Sequence, residues 1–339
     1  MKVSICIPTY NGQKFFESCL DSAIGQTYRD IEIIIVDDCS TDNTYEIAKK
    51  YASKDSRIRL FQNEKNAGLV PNWNHCIELS KGKWIKFLFQ DDALAPNCIE
   101  VMINSLSPND RIVTSARRLI LDEALDESTR TYSISETLTF ERFGIISKVP
   151  VFIPAEKISS LAVQNVWMNF IGEPTVIMFQ KEVTRELGVF NPDLIQVCDL
   201  EYFLRIACNY GVKYIPQPLT YFRVHKGSAS SSNISERYYQ VMHLDPIIML
   251  HQFLYATFFA PFRKALPISL KIKLKLVFML RVRESYEKSL HSTPENQQKF
   301  ATTGKKYPGI AVTSRQSFFG LIFLSVVKIM VRLRRIFKK

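Results

Sequence analysis

Two pairs of adjacent carboxylates are the residues of this sequence best suited to chemistry. Asp37 and Asp38 follow the β-branched run 31–36, and Asp91 and Asp92 end the apolar run that begins at Gly82. Adjacent carboxylates are costly to hold together unless a cation shares them. Mg²⁺ and Mn²⁺ take oxygen ligands, often one or two carboxylates with substrate phosphates. Taken alone, Asp91-Asp92 is better explained as a polar turn in water, and only the rest of the chain favours a metal site.

The elements that must position these carboxylates alternate between strands and helices. The hydrophobic patterns predict strands at 3–8, 31–36, 58–62 and 82–90, helices at 15–24, 43–54 and 73–80, and a polar loop at 63–71. This alternation indicates βαβ units and a mainly parallel sheet. Right-handed crossovers place both Asp pairs at the same edge of that sheet, where a nucleoside diphosphate would bind.

The following segments continue the same domain. A helix is predicted at 96–106, strands at 111–121, 175–179, 212–215 and 219–224, and a helix at 199–209, whereas 122–147 is polar and irregular. Asp199 stands at the start of the predicted helix, where a carboxylate commonly serves as an N-cap. His225 ends the last strand, and a lone histidine there is usually structural or solvated. Taken alone, neither residue indicates a site.

Composition and charge describe a folded chain with a basic C-terminal part. Of the 339 residues, 46% are hydrophobic and 23% charged, which is typical of one large or two ordinary globular domains. Lys and Arg exceed Asp and Glu by 44 to 33, and no acidic residue occurs at 246–283 or 316–339. This excess indicates an anionic partner. Because the basic residues lie among long apolar side chains, we expect a membrane surface and no nucleic acid.

The sequence contains no strong candidate for a membrane-spanning helix. The longest strongly apolar uncharged run, 317–327, has about half of the ~20 residues that a spanning helix needs. The N-terminus begins with a strand-like segment and lacks the apolar core of a signal peptide. Seven scattered cysteines without a Cys-x-x-Cys pair indicate reduced thiols. We therefore expect a cytoplasmic protein.

Several short motifs, in order and at suitable spacing, resemble the family 2 inverting glycosyltransferases with a GT-A fold. The resemblance covers roughly residues 1–225, and its motifs are Ile7-Pro8-Thr9-Tyr10-Asn11, Ile35-Val36-Asp37-Asp38-Cys39-Ser40-Thr41-Asp42, Asn66-Ala67-Gly68, Asn74, 82–92, and 188–191 leading to Asp199. It implies an α/β fold with a mainly parallel central sheet flanked by helices. Residues 1–232 would form the catalytic domain, with a nucleotide-binding half at 1–110 and an acceptor half at 111–232. A helical, basic segment would follow at 233–339.

The resemblance also implies the residues that bind the donor and the metal. The nucleotide site would consist of Pro8, Thr9, Tyr10, Asp37, Asp38, Asn66, Gly68 and Asp91. The metal site, for Mn²⁺ or Mg²⁺, would consist of Asp92, Asp91 and His225. The family pattern there is Asp-x-Asp, and Phe89 or Gln90 stands where its first carboxylate would be. This departure leaves open whether Asp91 or Asp92 holds the ion.

Asp199 resembles the catalytic base of the family, and Glu201 is the second choice. Cys198 replaces the Glu of the family's usual Glu-Asp pair. The implied reaction moves a sugar, with inversion, from a UDP-sugar or dTDP-rhamnose to a hydroxyl of a saccharide acceptor. That acceptor would be lipid-linked, as in O-antigen or capsule synthesis. The alternative is a catalytically impaired relative acting as a scaffold in a polysaccharide-synthesis complex. A nucleotidyltransferase is disfavoured because 8–12 lacks a Gly-rich, basic phosphate loop.

The segment 233–339 is expected to bind the inner face of the membrane peripherally. Residues 253–262 are rich in aromatic side chains of a type expected at an exposed surface, and 271–276 alternates lysine with apolar residues. Residues 317–339 start apolar and end basic, as in an amphipathic helix lying in a membrane interface. Each cation near an anionic leaflet contributes on the order of 1 kcal/mol. The alternative is a helix packed on the catalytic domain with a solvated cationic face.

Overall fold

The computed structural model describes residues 1–128, 130–131 and 140–314. The chain divides into two compact units, Met1–Ser232 and Asn233–Lys339. The first is an α/β unit built on a mixed sheet, and the second is helical in its described part.

The first unit consists of strands and helices that alternate through its first hundred residues. Its strands are β1 (Val3–Thr9), β2 (Ile31–Asp37), β3 (Ile58–Gln62), β4 (Trp84–Phe87), β5 (Ala93–Leu94), β6 (Ile112–Leu121), β7 (Val151–Ile153), β8 (Ile177–Gln180) and β9 (Val212–Val224). Its helices are α1 (Gln13–Ile24), α2 (Thr44–Ala52), α3 (Leu69–Leu79), α4 (Cys98–Asn104), α5 (Ala155–Gln164), α6 (Val183–Leu187) and α7 (Cys198–Tyr210).

The described strands form one sheet in the order β3-β2-β1-β4-β8-β6-β9-β5, with β7 paired to β9. The pairs β3-β2, β2-β1, β1-β4 and β6-β9 are parallel, and β8 is antiparallel to both neighbours. The predicted mainly parallel α/β sheet flanked by helices is confirmed. Thr9 lies beside Asp37 in register, so β1 and β2 end at the same edge.

The apolar runs of β1 and β2 are buried along their whole length. The core around them includes Phe16 and Leu20 of α1, which are fully buried. Continuous apolar strands of this kind are typical of a parallel sheet covered on both faces. The sequence pattern therefore predicts these two strands almost to the residue.

Three predicted segments differ from the structure by more than a shift of a few residues at their ends. Helix α3 begins at Leu69, within the predicted loop 63–71, because proline is tolerated in the first turn of a helix and Pro71 lies there. The strand predicted at 82–90 is limited to Trp84–Phe87. The two strands predicted at 212–215 and 219–224 are one strand, β9, whose register against β6 shifts between Ser115 and Arg117.

The described part of the second unit is helical. Helix α8 (Ala229–Glu236) spans the boundary, and the unit continues with a π-helix (Gln240–Leu244), α9 (Asp245–Tyr255), α10 (Ala260–Ala265), α11 (Ile268–Leu290), α12 (Pro294–Lys306) and α13 (Pro308–Ser314). Among the described residues, none of the helices is long and apolar enough to cross a membrane.

The expectation that the aromatic side chains of 253–262 are exposed is largely wrong. Phe253, Phe259 and Phe262 are fully buried, and their ring centroids lie 4.8 to 5.9 Å apart. They pack against one another because the turn after α9 folds back on that helix. The basic amphipathic helix predicted at 317–339 lies outside the described residues.

Candidate active site

The loop after β1 joins the ends of β2 and β4. The Tyr10 N–H donates to Gln90 Oε1 (2.8 Å), and Gln90 Nε2 donates to the Tyr10 carbonyl (3.0 Å). On the other side, the Asn11 N–H donates to Ser40 Oγ (2.9 Å). The loop therefore lies between the two Asp-Asp segments, at the edge where the parallel strands end. The Tyr10 ring is 45% exposed there.

Gln90 makes this junction compact. A Cβ on Gly12 would lie 2.3 Å from Gln90 Cδ, so only glycine leaves room for the amide at this point. Gln90, one of the two residues that could stand at the first carboxylate of the family's Asp-x-Asp, thus binds the backbone just after the neighbouring strand β1. The sequence pattern gave no indication of this role.

Asp37 is buried and bonded within the protein. Its carboxylate accepts hydrogen bonds from Thr9 Oγ1 (3.2 Å), the Ser40 N–H (3.0 Å) and Gln62 Nε2 (3.1 Å). These donors come from the ends of β1, β2 and β3. Asp37 therefore ties three neighbouring strand ends together, and Pro8 and Thr9 are buried beside it.

Asp38 is also buried, and it holds the loop before α3. Its carboxylate accepts from the Ala67 N–H (2.8 Å), the Gly68 N–H (2.9 Å) and Asn63 Nδ2 (2.7 Å). Gly68 has φ +90°, a conformation that favours glycine. Asn66 is exposed directly before these amides. The structure thus places Asp38 against Gly68, with Asn66 two residues before Gly68 in the same loop.

Asp91 and His225 meet at the end of the sheet. The His225 Nε2 atom lies 3.0 Å from Asp91 Oδ2, and both side chains are partly exposed. The His225 ring packs edge-on against Phe15 of α1, with centroids 5.0 Å apart. Arg223 Nε donates to the Asp91 carbonyl (2.9 Å), which fixes the backbone of the pair.

Asp92 faces the interior, unlike Asp91. Its Oδ2 accepts from Thr175 Oγ1 (2.5 Å) and its Oδ1 from the Arg223 N–H (2.9 Å). Burial, together with the neighbouring Asp91 charge, raises the pKa of Asp92 well above its ordinary value. Asp92 therefore joins the segment around Thr175 to β9.

The side-chain arrangement fits a divalent ion with two protein ligands. Within the described residues, no group of three or more His, Cys, Asp or Glu side chains is close enough to hold a metal, so the predicted trio is not formed there. The Asp91–His225 pair supplies one carboxylate oxygen and one imidazole nitrogen. Mg²⁺-type sites often use only one or two carboxylates and complete their ligands with substrate phosphates and water. The pair fits that pattern, whereas both oxygens of Asp92 already accept hydrogen bonds.

Asp199 lies in the first turn of α7 with a carboxylate suited to proton transfer. Asn169 Nδ2 donates to its Oδ2 (3.1 Å), and the Leu200 N–H donates to its Oδ1 (2.7 Å). Burial, opposed by the Leu200 hydrogen bond and reinforced by the Glu173 charge, raises the pKa of Asp199 to about 7. A base with a pKa near the working pH combines the deprotonated form with a strong affinity for the proton.

Glu201, the second choice for the base, is engaged elsewhere. It is fully buried and forms an ion pair with Arg205 one turn later. Arg205 Nη1 also donates to the carbonyls of Leu187 (2.7 Å) and Val189 (3.0 Å), so the pair holds the turn around Gly188. A buried, paired carboxylate of this kind has no free approach for an acceptor hydroxyl.

The segment 169–175 connects the two groups of carboxylates. Its first residue, Asn169, donates to Asp199, and its last, Thr175, donates to Asp92. Between them Glu173 is paired with Arg117, and its charge raises the pKa of both Asp92 and Asp199. The sequence analysis did not identify these contacts of Asn169, Glu173 and Thr175. The sequence feature that marks the segment is the turn Gly172-Glu173-Pro174, just before the strand predicted at 175–179.

The chain is similar in sequence to known glycosyltransferases. Residues 4–156 match the family described as Glycosyl transferase family 2. The uncharacterized glycosyltransferase YibD of Escherichia coli (strain K12) is 26% identical over 247 residues, which cover 72% of this chain and 70% of YibD.

Two solved transferases share the fold. Staphylococcus aureus TarS 1–349, in complex with UDP-GlcNAc, aligns with a TM-score of 0.58 at 19% identity and covers 91% of this chain and 81% of its own. The mannosyltransferase PcManGT from Pyrobaculum calidifontis, in complex with GDP-Man and Mn²⁺, aligns with a TM-score of 0.54 at 17% identity and covers 99% of this chain and 87% of its own. At these identities the likeness establishes the shared fold.

Proposed function

We propose that this chain, whose residues 4–156 match glycosyl transferase family 2, transfers a sugar from a nucleoside-diphosphate donor to a hydroxyl of a saccharide acceptor, with inversion at the anomeric carbon. The observation that carries the proposal is Asp199, a partly buried carboxylate in the first turn of α7 whose pKa is raised to about 7. In an inverting reaction, Asp199 accepts the proton of the acceptor hydroxyl as that oxygen attacks the anomeric carbon. A base of this kind must approach the hydroxyl to within ~2.6–3.2 Å.

The donor would bind at the edge where β1 and β2 end. The exposed Tyr10 ring supplies a flat surface for the base, and Asp38, directly after β2, holds the loop before α3. Asp91 and His225 would hold Mn²⁺ or Mg²⁺. Such an ion, when bound, offsets the charge that develops on the leaving diphosphate.

The proposed metal ligand Asp91 and the proposed base Asp199 are close enough to act on one donor molecule. Asp92, the neighbour of Asp91, and Asp199 are bonded to the two ends of the seven-residue segment 169–175. Six fully extended residues span at most roughly 20 Å, and the turn at Gly172 shortens the segment further. A nucleotide sugar extends over a comparable length, so its diphosphate and its anomeric carbon would lie near Asp91 and Asp199 respectively.

The test is turnover with a panel of UDP-sugars, dTDP-rhamnose and GDP-mannose, with Mn²⁺ or Mg²⁺ and with EDTA. We expect metal-dependent release of one nucleoside diphosphate by the wild-type protein. The variant Asp199→Asn should bind the same donor with similar affinity and lose most turnover. Normal turnover by this variant would contradict the assignment of the base. If no donor is either bound or turned over, the scaffold alternative replaces the transferase.

We further propose that the acceptor is lipid-linked and that the second unit binds the cytoplasmic face of an anionic membrane. The start of α11 supports this, because Ile268 is 75% exposed and Ile272 is 55% exposed, next to the exposed Lys271 and Lys275. An apolar and cationic surface of this kind inserts at a membrane interface. Pathways that use such acceptors include O-antigen and capsule synthesis.

Sedimentation with vesicles of anionic lipid tests this surface. The double variant Lys271→Glu/Lys275→Glu should lose most vesicle binding relative to the wild-type protein. The control Lys305→Glu/Lys306→Glu, in the last turn of α12, makes the same change in net charge. Equal loss in both double variants would show that net charge, and not the start of α11, governs binding.

A further inference from the structure

The side-chain amide of Asn169 has a fixed orientation toward Asp199. Its Oδ1 accepts the Gly172 N–H (3.0 Å), so its Nδ2 is the group that faces Asp199 Oδ2, at 3.1 Å. An amide that uses its oxygen for one fixed partner presents its NH₂ to the other. Asn169 is therefore a donor to the carboxylate and not an acceptor from it.

The turn that holds Asn169 is rigid. Gly172 has φ +114°, and a Cβ at this position would lie 2.2 Å from Val176 Cγ2, so only glycine fits. Thr114 Oγ1 of β6 donates to the Ile171 carbonyl (2.8 Å) and fixes the preceding peptide. The Gly172 N–H is thus held in place from both sides, and so is the amide bound to it.

Among the described residues, Asn169 is the side-chain hydrogen-bond donor to Asp199. The second oxygen of the carboxylate accepts the Leu200 N–H (2.7 Å) from its own helix. The facing charged group is Glu173, which pairs with Arg117 of β6. One donor on each oxygen favours the ionised form of the carboxylate and defines its plane, and lone pairs remain available for a substrate hydroxyl.

We propose that Asn169 is the positioning residue of the catalytic base: it orients Asp199 Oδ2 toward the acceptor hydroxyl and stabilises the ionised carboxylate through a donated hydrogen bond. This inference rests on the proposed function, in which Asp199 is the base. Asn169 acts through Asp199 and takes no part in the transfer itself.

The isosteric substitution Asn169→Asp isolates the donated hydrogen bond. The new carboxylate keeps the acceptor for the Gly172 N–H, but it no longer donates to Asp199 and adds a like charge. Both effects disfavour ionised Asp199. We expect the acidic limb of the kcat profile to move to higher pH by about one to two units, and kcat at pH 7 to fall about five- to fiftyfold as a result. The KM for the donor should stay within a fewfold of wild type.

The matched control is Asn165→Asp, four residues earlier. Asn165 Nδ2 donates to the Leu161 carbonyl (3.0 Å) at the end of α5, so the same change in charge is made at a side chain that is not hydrogen-bonded to Asp199. This variant should keep the wild-type pH profile. Asn169→Ala, which removes the donor without adding charge, should move the limb in the same direction by a smaller amount and replaces Asn169→Asp if the latter fails to fold.

The experiment measures kcat for donor turnover from pH 5.5 to 9 at saturating donor and metal. A direct readout is the infrared carboxylate titration of each protein minus its Asp199→Asn counterpart, which needs no turnover. The inference is overturned if Asp199→Asn is inactive while both Asn169 variants keep the wild-type acidic limb of kcat and the wild-type infrared titration of Asp199. If Asp199→Asn is itself active, the base assignment of the proposed function fails instead, so the two failures are distinguishable.

Discussion

The substitution Asp199→Asn should abolish turnover and also stabilise the fold at alkaline pH. The pKa of Asp199 is about 7 in the folded protein against an ordinary value of 3.8. Between these values the folded state binds more protons than the unfolded state, so the contribution of this group to stability is present at low pH and is lost as the pH rises toward and through 7. An amide carries no charge to desolvate. The variant therefore does not lose the folding stability that the wild-type protein loses when Asp199 ionises at high pH.

The magnitude follows from the two pKa values of Asp199. Linkage gives a loss of folding stability from this side chain, relative to low pH, of about 1.7 kcal/mol at pH 5 and about 4 kcal/mol at pH 8. The side chain is partly exposed, so these are upper values. The amide accepts only one of the hydrogen bonds from Asn169 and Leu200, which costs about 1 kcal/mol at every pH. The gain in stability of Asp199→Asn should thus grow by up to roughly 2.5 kcal/mol from pH 5 to pH 8.

Urea unfolding of both proteins at pH 5, 6.5 and 8 measures this difference. The control is Asp42→Asn, because hydrogen bonds from Thr44 and Gln13, which outweigh burial, hold the pKa of Asp42 below its ordinary value. Asp42 is ionised in both states throughout this range, so its substitution should destabilise the protein by a constant amount. If the difference in unfolding free energy between Asp199→Asn and wild type does not change with pH, the pKa of Asp199 is not raised by desolvation. The argument that this pKa suits a catalytic base would then fail.

Three further substitutions test other parts of the site. Gly12→Ala places a Cβ 2.3 Å from the Gln90 amide, and it should raise the KM for the donor several-fold with a smaller change in kcat, as measured by steady-state kinetics. Glu201→Gln breaks the buried pair with Arg205 and should cost about 3–5 kcal/mol in urea unfolding, while the kcat of the folded fraction stays near wild type; a complete loss of kcat there would return Glu201 to the role of base. His225→Ala should raise the Mn²⁺ concentration required for half-maximal turnover at least tenfold, and an unchanged requirement would exclude this side chain as a ligand.

The sequence predicts the parallel half of the sheet well because its signals are local and strong. The run 31–36 is β-branched and nearly continuous, and β2 is the strand Ile31–Asp37. Because parallel strands end at one edge, the positions of Asp38 and Asp91 follow from topology without any knowledge of their contacts. In contrast, Pro216 and Pro218 interrupt the pattern of β9. The structure continues that strand through them by shifting its register against β6.

Sequence patterns could not predict which side chains contact Asp91 and Asp92. The backbone places Asp91 and Asp92 one residue apart, yet the first meets His225 and the second meets Thr175, 83 residues later. Which side chain turns inward depends on donors from β9 and from the segment before β8, and no periodicity encodes such pairings. The same holds for Gln90, whose amide binds Tyr10 across 80 residues.

The different environments of the adjacent residues Asp91 and Asp92 have a physical reason. Two ionised carboxylates on neighbouring residues repel each other, and the repulsion is relieved if one of them is buried with a raised pKa and bonded to fixed donors. Asp92 is that residue, since burial and the Asp91 charge both disfavour its ionised form. Asp91 is left partly exposed beside His225. If Asp91 binds the metal as proposed, only Asp91 of this pair is a ligand and Asp92 is an internal brace. Asp92→Asn should then be tolerated far better than Asp91→Asn in metal-dependent turnover.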